Sequence, residues 1–150
     1  MMRSVATTIA AAGFLFFLSC TAENGNAATA QEQAPQESTA QEPSITDVKA
    51  EKFKELAESG NGTILDVRTP EEVAEGVVAG ATHINLFDAD FEQRITSLDK
   101  SKPVYVYCKV GGRSGQAAEK LKAAGYTVFN FDGGMDAWKG SNYPTVALGE

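Results

Sequence analysis

Residues 44–150 are predicted to form an α/β domain built on a single open parallel five-stranded sheet with helices on both faces. Three observations lead there. Short apolar runs alternate with helix-like segments, the order expected of βαβ units. About five of each occur, which suits one sheet covered on both sides. The chain of 150 residues also leaves room for one ordinary domain and its appendages.

The elements follow in order. "SITDV" reads as a short first strand, and "AEKFKELAESG" as a helix with Phe53 and Leu56 on one face, stopped by Gly60 or Gly62. "TILDV" is the next strand. Thr69 then stands as the cap of a helix that begins at Pro70, carries Glu71 and Glu72 in its dipole-favoured first turn, and ends near Gly76. "ATHINL" reads as a strand, and "DADFEQRITSL" as a helix with Phe91, Ile95 and Leu98 at helical spacing. "KPVYVYC" is the clearest strand and takes Cys108 as its last residue. "SGQAAEKLKAAGY" follows as a helix with Ala117, Leu121 and Ala124 inward and Gly125 as its stop. "TVFNF" is the last strand, "GGMDAWKG" a turn and short helix, and "SNYPTVAL" a surface return.

The first 43 residues have a different character. Residues 1–19 read as a secretory signal: Arg3 provides the positive start, and Val5 to Leu18 is an apolar or small-residue stretch of 14. A membrane-spanning helix needs roughly 20 residues. "FFLSC" then places Ser19 before Cys20 and resembles the lipobox of bacterial lipoproteins, which implies lipidation of Cys20 and an exported, membrane-anchored chain facing the periplasm. Cleavage after Ala22, Ala28 or Ala30, giving a free secreted protein, is the alternative. Residues 20–43 read as a disordered tether: from Thr21 to Pro43 there are four acids, no Lys or Arg and no aromatic residue.

Of the formal charge of −7, residues 44–150 carry 16 acids against 12 Lys or Arg, so the domain is mildly acidic. No clustered basic footprint for nucleic acid appears. Nor do Cys, His and acidic residues cluster at metal spacing, so no metal or other cofactor is expected.

Attention falls on "CKVGGRS", Cys108 to Ser114. In open parallel sheets ligands sit at the carboxyl ends of strands, and the predicted strand end places the thiol there. Gly111 and Gly112 let successive N–H groups turn toward one point, an anion nest. A thiolate at a helix N-terminus has its pKa lowered. Lys109 and Arg113 add positive charge on either side. His83, the one histidine, lies on another strand and reads as a strand-end residue.

The loop resembles that of rhodanese-like domains, C-x-x-G-x-R-S, matched by Cys108, Gly111, Arg113 and Ser114. "DVRTPEEV" resembles the family's D-V-R-x-x-x-E, "GVVAGATHINL" its G-H-I-x-G-A-x-N-I with Val77 in place of the histidine, and "DGGMDAW" with Pro144 its closing G-G-x-x-x-W. The resemblance implies a sulfurtransferase. Cys108 would be the nucleophile, forming a persulfide with thiosulfate or a persulfide donor and passing the sulfur to a thiol, cyanide or a protein. Lys109, Val110, Gly111, Gly112, Arg113 and Ser114 would form the binding loop, with Asp66 and Arg68 bracing it; a pairing of Asp66 with Arg113 is one arrangement expected. The four residues between Cys108 and Arg113 make a smaller loop than that of phosphatase relatives, which implies transfer of sulfur rather than phosphate. A low-turnover sulfur carrier or a protein-interaction and sensor module is the alternative. A thiol–disulfide role is disfavoured because a resolving cysteine is missing from the domain. The sequence does not define the oligomeric state.

Overall fold

The computed structural model describes residues 42–149. Five strands form one sheet: β1 (Ile45–Val48), β2 (Thr63–Asp66), β3 (Thr82–His83), β4 (Val104–Tyr107) and β5 (Val128–Phe131). Their order is β1-β5-β4-β2-β3, and every pairing is parallel. The helices are α1 (Ala50–Ser59), α2 (Pro70–Ala74), α3 (Phe91–Ile95), α4 (Gly112–Ala123) and α5 (Gly134–Gly140). No helix among the described residues is long and apolar enough to cross a membrane. The expected signal and Cys20, and all but the last two residues of the expected tether, lie outside the described residues.

The sheet has two dry faces. Phe91 and Ile95 of α3 and Ala117, Ala118 and Leu121 of α4 pack with Leu65, Val104 and Val106 on one side. On the other, Phe53 of α1 and Met135 and Trp138 of α5 pack with Ile64, Tyr105, Tyr107 and Phe131. Alternate residues of β4 serve opposite layers, so all four are buried, as central strands of a doubly covered sheet require. Phe53 stacks on Phe131 with centroids 4.5 Å apart, and Trp138 meets Phe53 edge-on at 6.1 Å. The indole N–H of Trp138 donates to Pro144 O at 2.8 Å, tying down the C-terminal return.

Capping chemistry sets several boundaries. Gly60 ends α1 at φ 69°, a left-handed conformation that costs glycine little. Thr69 and Glu72 form a reciprocal capping box around Pro70 at the start of α2.

Four expected boundaries move. The run "ATHINL" is a strand only at Thr82 and His83, because the Asn85 side chain accepts the Phe87 N–H at 3.2 Å and turns the chain. The helix expected over residues 88–98 regularises only at Phe91–Ile95. Beyond it, Thr96 and Ser97 donate their hydroxyls to Gln93 O and Arg94 O, each at 2.7 Å, and the backbone tightens into three-residue turns. Strand β4 stops at Tyr107, leaving Cys108 as the first residue beyond it. Helix α4 starts at Gly112, so Arg113 and Ser114 belong to its first turn instead of the loop.

Candidate active site

Cys108 leaves the central strand at the carboxyl edge of the sheet, with an intrinsic obstacle to reactivity: it is fully buried. Burial opposes a thiolate. Hydrogen bonding outweighs that effect, because the backbone N–H and hydroxyl of Ser114 and the N–H groups of Val110 and Gly111 act on the sulfur. The net result is a thiol pKa below its ordinary value. The Gly111 N–H lies 3.1 Å from Cys108 Sγ. Gly111 has φ 101°, so the backbone curls as only glycine readily permits and opens α4 with its donors turned inward. The Ser114 hydroxyl carries one proton, and Gly111 O, 2.9 Å away, competes with the sulfur for it.

A second element holds the cradle from behind. At the start of α5, Met135 N–H donates to Cys108 O at 2.8 Å and Asp136 N–H to Lys109 O at 2.9 Å. These donors occupy the loop carbonyls and leave the loop N–H groups to the sulfur. The fit depends on Gly134: a Cβ there would stand 2.4 Å from Cys108 O and 2.7 Å from Lys109 O, and its φ is +54°. Gly134 is therefore more than the turn residue its sequence suggests. Lys109 and Val110 project outward and are exposed.

Charge around the loop is arranged in two pairs. Arg113 meets both carboxylate oxygens of Glu72, Nη1 to Oε2 and Nη2 to Oε1, each at 2.7 Å. The Arg113 hydrogen bond is the main reason that Glu72 is pulled down to about 2. Asp66 instead takes Arg68, with Nη2 to Oδ2 at 2.6 Å and Nε at 3.0 Å from both oxygens. The expected pairing of Asp66 with Arg113 is thus corrected: Arg68, two residues along the same segment, saturates the buried carboxylate. Arg68 continues to Glu72 O at 2.9 Å and Gly76 O at 2.8 Å, fixing the α2 backbone that presents the Glu72 side chain. His83 gives Nε2 to Arg68 O at 2.8 Å, matching its reading as a strand-end residue. Among the described residues no three His, Cys, Asp or Glu side chains gather as a metal site.

The sequence matches the Rhodanese-like domain over residues 49–141. The chain belongs to the rhodanese-like family. It is 35% identical over 101 residues to the putative sulfurtransferase YtwF of Bacillus subtilis, covering 67% of this chain and 96% of that protein. It is 39% identical over 83 residues to the thiosulfate sulfurtransferase GlpE of Pseudomonas entomophila, covering 54% and 72%. A rhodanese-related protein from Thermoplasma volcanium superposes with a TM-score of 0.61 at 29% identity, covering 67% of this chain and 97% of that one. Sulfur transfer is the chemistry named for both sequence relatives.

Within this rhodanese-like domain, Val110, Gly111 and Ser114 of the candidate loop act on the Cys108 sulfur, while Lys109 is exposed and Arg113 pairs with Glu72. Asp66 and Arg68 lie at and just beyond the end of β2, with Arg68 held by Glu72 O and set against the Tyr107 ring. Glu72 is the residue that sequence reasoning underrated. It closes the "DVRTPEE" segment, where its position alone points to the helix dipole; its role needs the 41-residue separation from Arg113 to be folded away.

Proposed function

We propose that the protein is an exported sulfurtransferase that moves a sulfane sulfur from thiosulfate or a persulfide donor to a thiophilic acceptor through a persulfide on Cys108. The observation that carries this reading is the cradle: N–H groups of Val110, Gly111 and Ser114 converge on a thiol whose pKa is lowered despite burial. The sulfurtransferase relatives support the same chemistry.

Two half-reactions follow. Cys108 thiolate attacks the outer sulfur of the donor; the Cys108 S–S bond forms, the donor bond to that sulfur breaks, and sulfite or a thiolate leaves with the bonding pair. The acceptor, which is cyanide, a thiol or a protein thiolate, then attacks the terminal sulfur and the Cys108 thiolate departs. Neither half needs an external oxidant. Loop N–H groups stabilise the anionic sulfur in each resting state.

The expected lipidation at Cys20 and tether at residues 20–43 supply the location in this proposal, a lipid-anchored domain at the periplasmic side. Labelled palmitate should enter the full chain and be lost in Cys20→Ser; retention in that variant would remove the anchor. For the activity, treatment with thiosulfate, polysulfide or an organic hydropersulfide should add the mass of one sulfur atom to Cys108, with thiocyanate produced when cyanide follows. Cys108→Ser should do neither. Loading without turnover would instead favour the sulfur-carrier reading, and no loading from any donor would overturn both.

A further inference from the structure

Which donor the cradle admits depends on charge and apolar surface at its mouth, and this question rests on the sulfur-transfer reading above. Thiosulfate is a dianion, and recruiting it calls for uncompensated positive charge beside the thiol. Arg113 is the cation whose charge acts on Cys108, yet Glu72 occupies both of its terminal nitrogens at 2.7 Å. With its pKa near 2, Glu72 stays ionised at neutral pH, and the pair carries no net charge. Lys49 is likewise paired with Asp132, whose Oδ1 would lie 3.4 Å from a Cβ on Gly111. Lys109 is exposed, so water and salt screen its charge.

Apolar surface stands beside these charges. Val110, whose N–H serves the thiol, is 59% exposed, and Phe87 is 68% exposed. Phe87 also stands with its ring centroid 5.9 Å from Arg113 Cζ. Among the described residues these are two of the three exposed large hydrophobic side chains.

We infer that the site selects organic hydropersulfides, R–S–SH with an apolar R group, over thiosulfate, and that Glu72 sets this choice by cancelling the charge of Arg113. R lies against Phe87 and Val110. Cys108 thiolate attacks the terminal sulfur, the new Cys108 S–S bond forms as the R–S bond to that sulfur breaks, the proton stays on the transferred sulfur, and R–S⁻ leaves.

The test is the second-order rate of sulfur loading on Cys108, read by quenched-flow mass spectrometry with benzyl hydropersulfide and with thiosulfate. Wild-type protein should load faster from benzyl hydropersulfide. Glu72→Gln should raise the thiosulfate rate relative to the hydropersulfide rate about tenfold, the scale of one unmasked charge near the surface. Phe87→Ser, at an exposed site that leaves the core intact, should lower the hydropersulfide rate about fivefold and spare thiosulfate. A wild-type preference for thiosulfate, equal slowing of both donors by Glu72→Gln, or indifference to Phe87→Ser would overturn the selectivity. If Glu72→Gln fails to fold, the wild-type ratio and Phe87→Ser decide. Absence of loading from either donor would remove the sulfur-transfer reading itself.

Discussion

Glu72 and Arg113 meet through two parallel hydrogen bonds of 2.7 Å, joining the first turn of α2 to the first turn of α4. The pair is only partly buried, with 21% of the Arg113 and 23% of the Glu72 side chain exposed. It therefore contributes through geometry as well as charge.

Its pH signature follows from Glu72. The folded-state pKa is near 2, below the ordinary 4.5, so the pair's stabilisation is present above the ordinary value and is lost as pH falls through the folded one. Urea unfolding of wild type and Glu72→Gln should differ by about 1–2 kcal/mol at neutral pH, and the difference should shrink between pH 4.5 and 2. A difference that stays constant over that window would contradict the assignment.

Thiol reactivity should report the cradle. The rate of iodoacetamide alkylation at Cys108 should rise with pH at a midpoint below that of a free cysteine, because hydrogen bonds from Ser114, Val110 and Gly111 outweigh burial. Ser114→Ala removes one of those donors and should move the midpoint upward. A midpoint unaffected by Ser114→Ala would mean that the hydroxyl does not act on the sulfur.

Gly134→Ala should damage both the fold and the loop. Its Cβ would collide with Cys108 O in a positive-φ conformation, so a loss of about 2 kcal/mol or more is expected, together with slower sulfur loading. Gly140→Ala, with nothing within 4 Å of the added carbon and no positive φ, is the contrast and should be neutral or mildly stabilising in thermal melts.

Asp66→Asn isolates the buried pair. Arg68 is 2% exposed and Asp66 fully buried, so removing the carboxylate charge strands a guanidinium away from water. A cost of about 3–5 kcal/mol is expected in denaturant unfolding. A loss below about 1 kcal/mol would show that the Glu72 and Gly76 carbonyls suffice to hold Arg68.

Much of this was legible in the sequence. The βαβ rhythm defined the sheet, and "CKVGGRS" placed the thiol at a strand end because glycine spacing and apolar periodicity are local properties. What escaped were particular side-chain pairings and close contacts. Arg68 rather than Arg113 takes Asp66, since two residues along an extended segment bring the guanidinium back onto its own carboxylate. The shortening of α3 came from Thr96 and Ser97, whose hydroxyls compete with helical bonding in a way that apolar spacing does not register. Gly134 looked like a turn because nothing in "GGMD" says that the Cys108 carbonyl lies against it.

The clasp of α5 on the loop has a consequence for the order of assembly. Strand β1 has only β5 beside it, from Ile45 against Val128 onward, and Cys108 O waits for the N–H of Met135. During synthesis the thiol emerges before the segment that disciplines its loop. Until residues 128–136 arrive, the Cys108 carbonyl and the first strand both lack the partners that this one late-arriving stretch supplies.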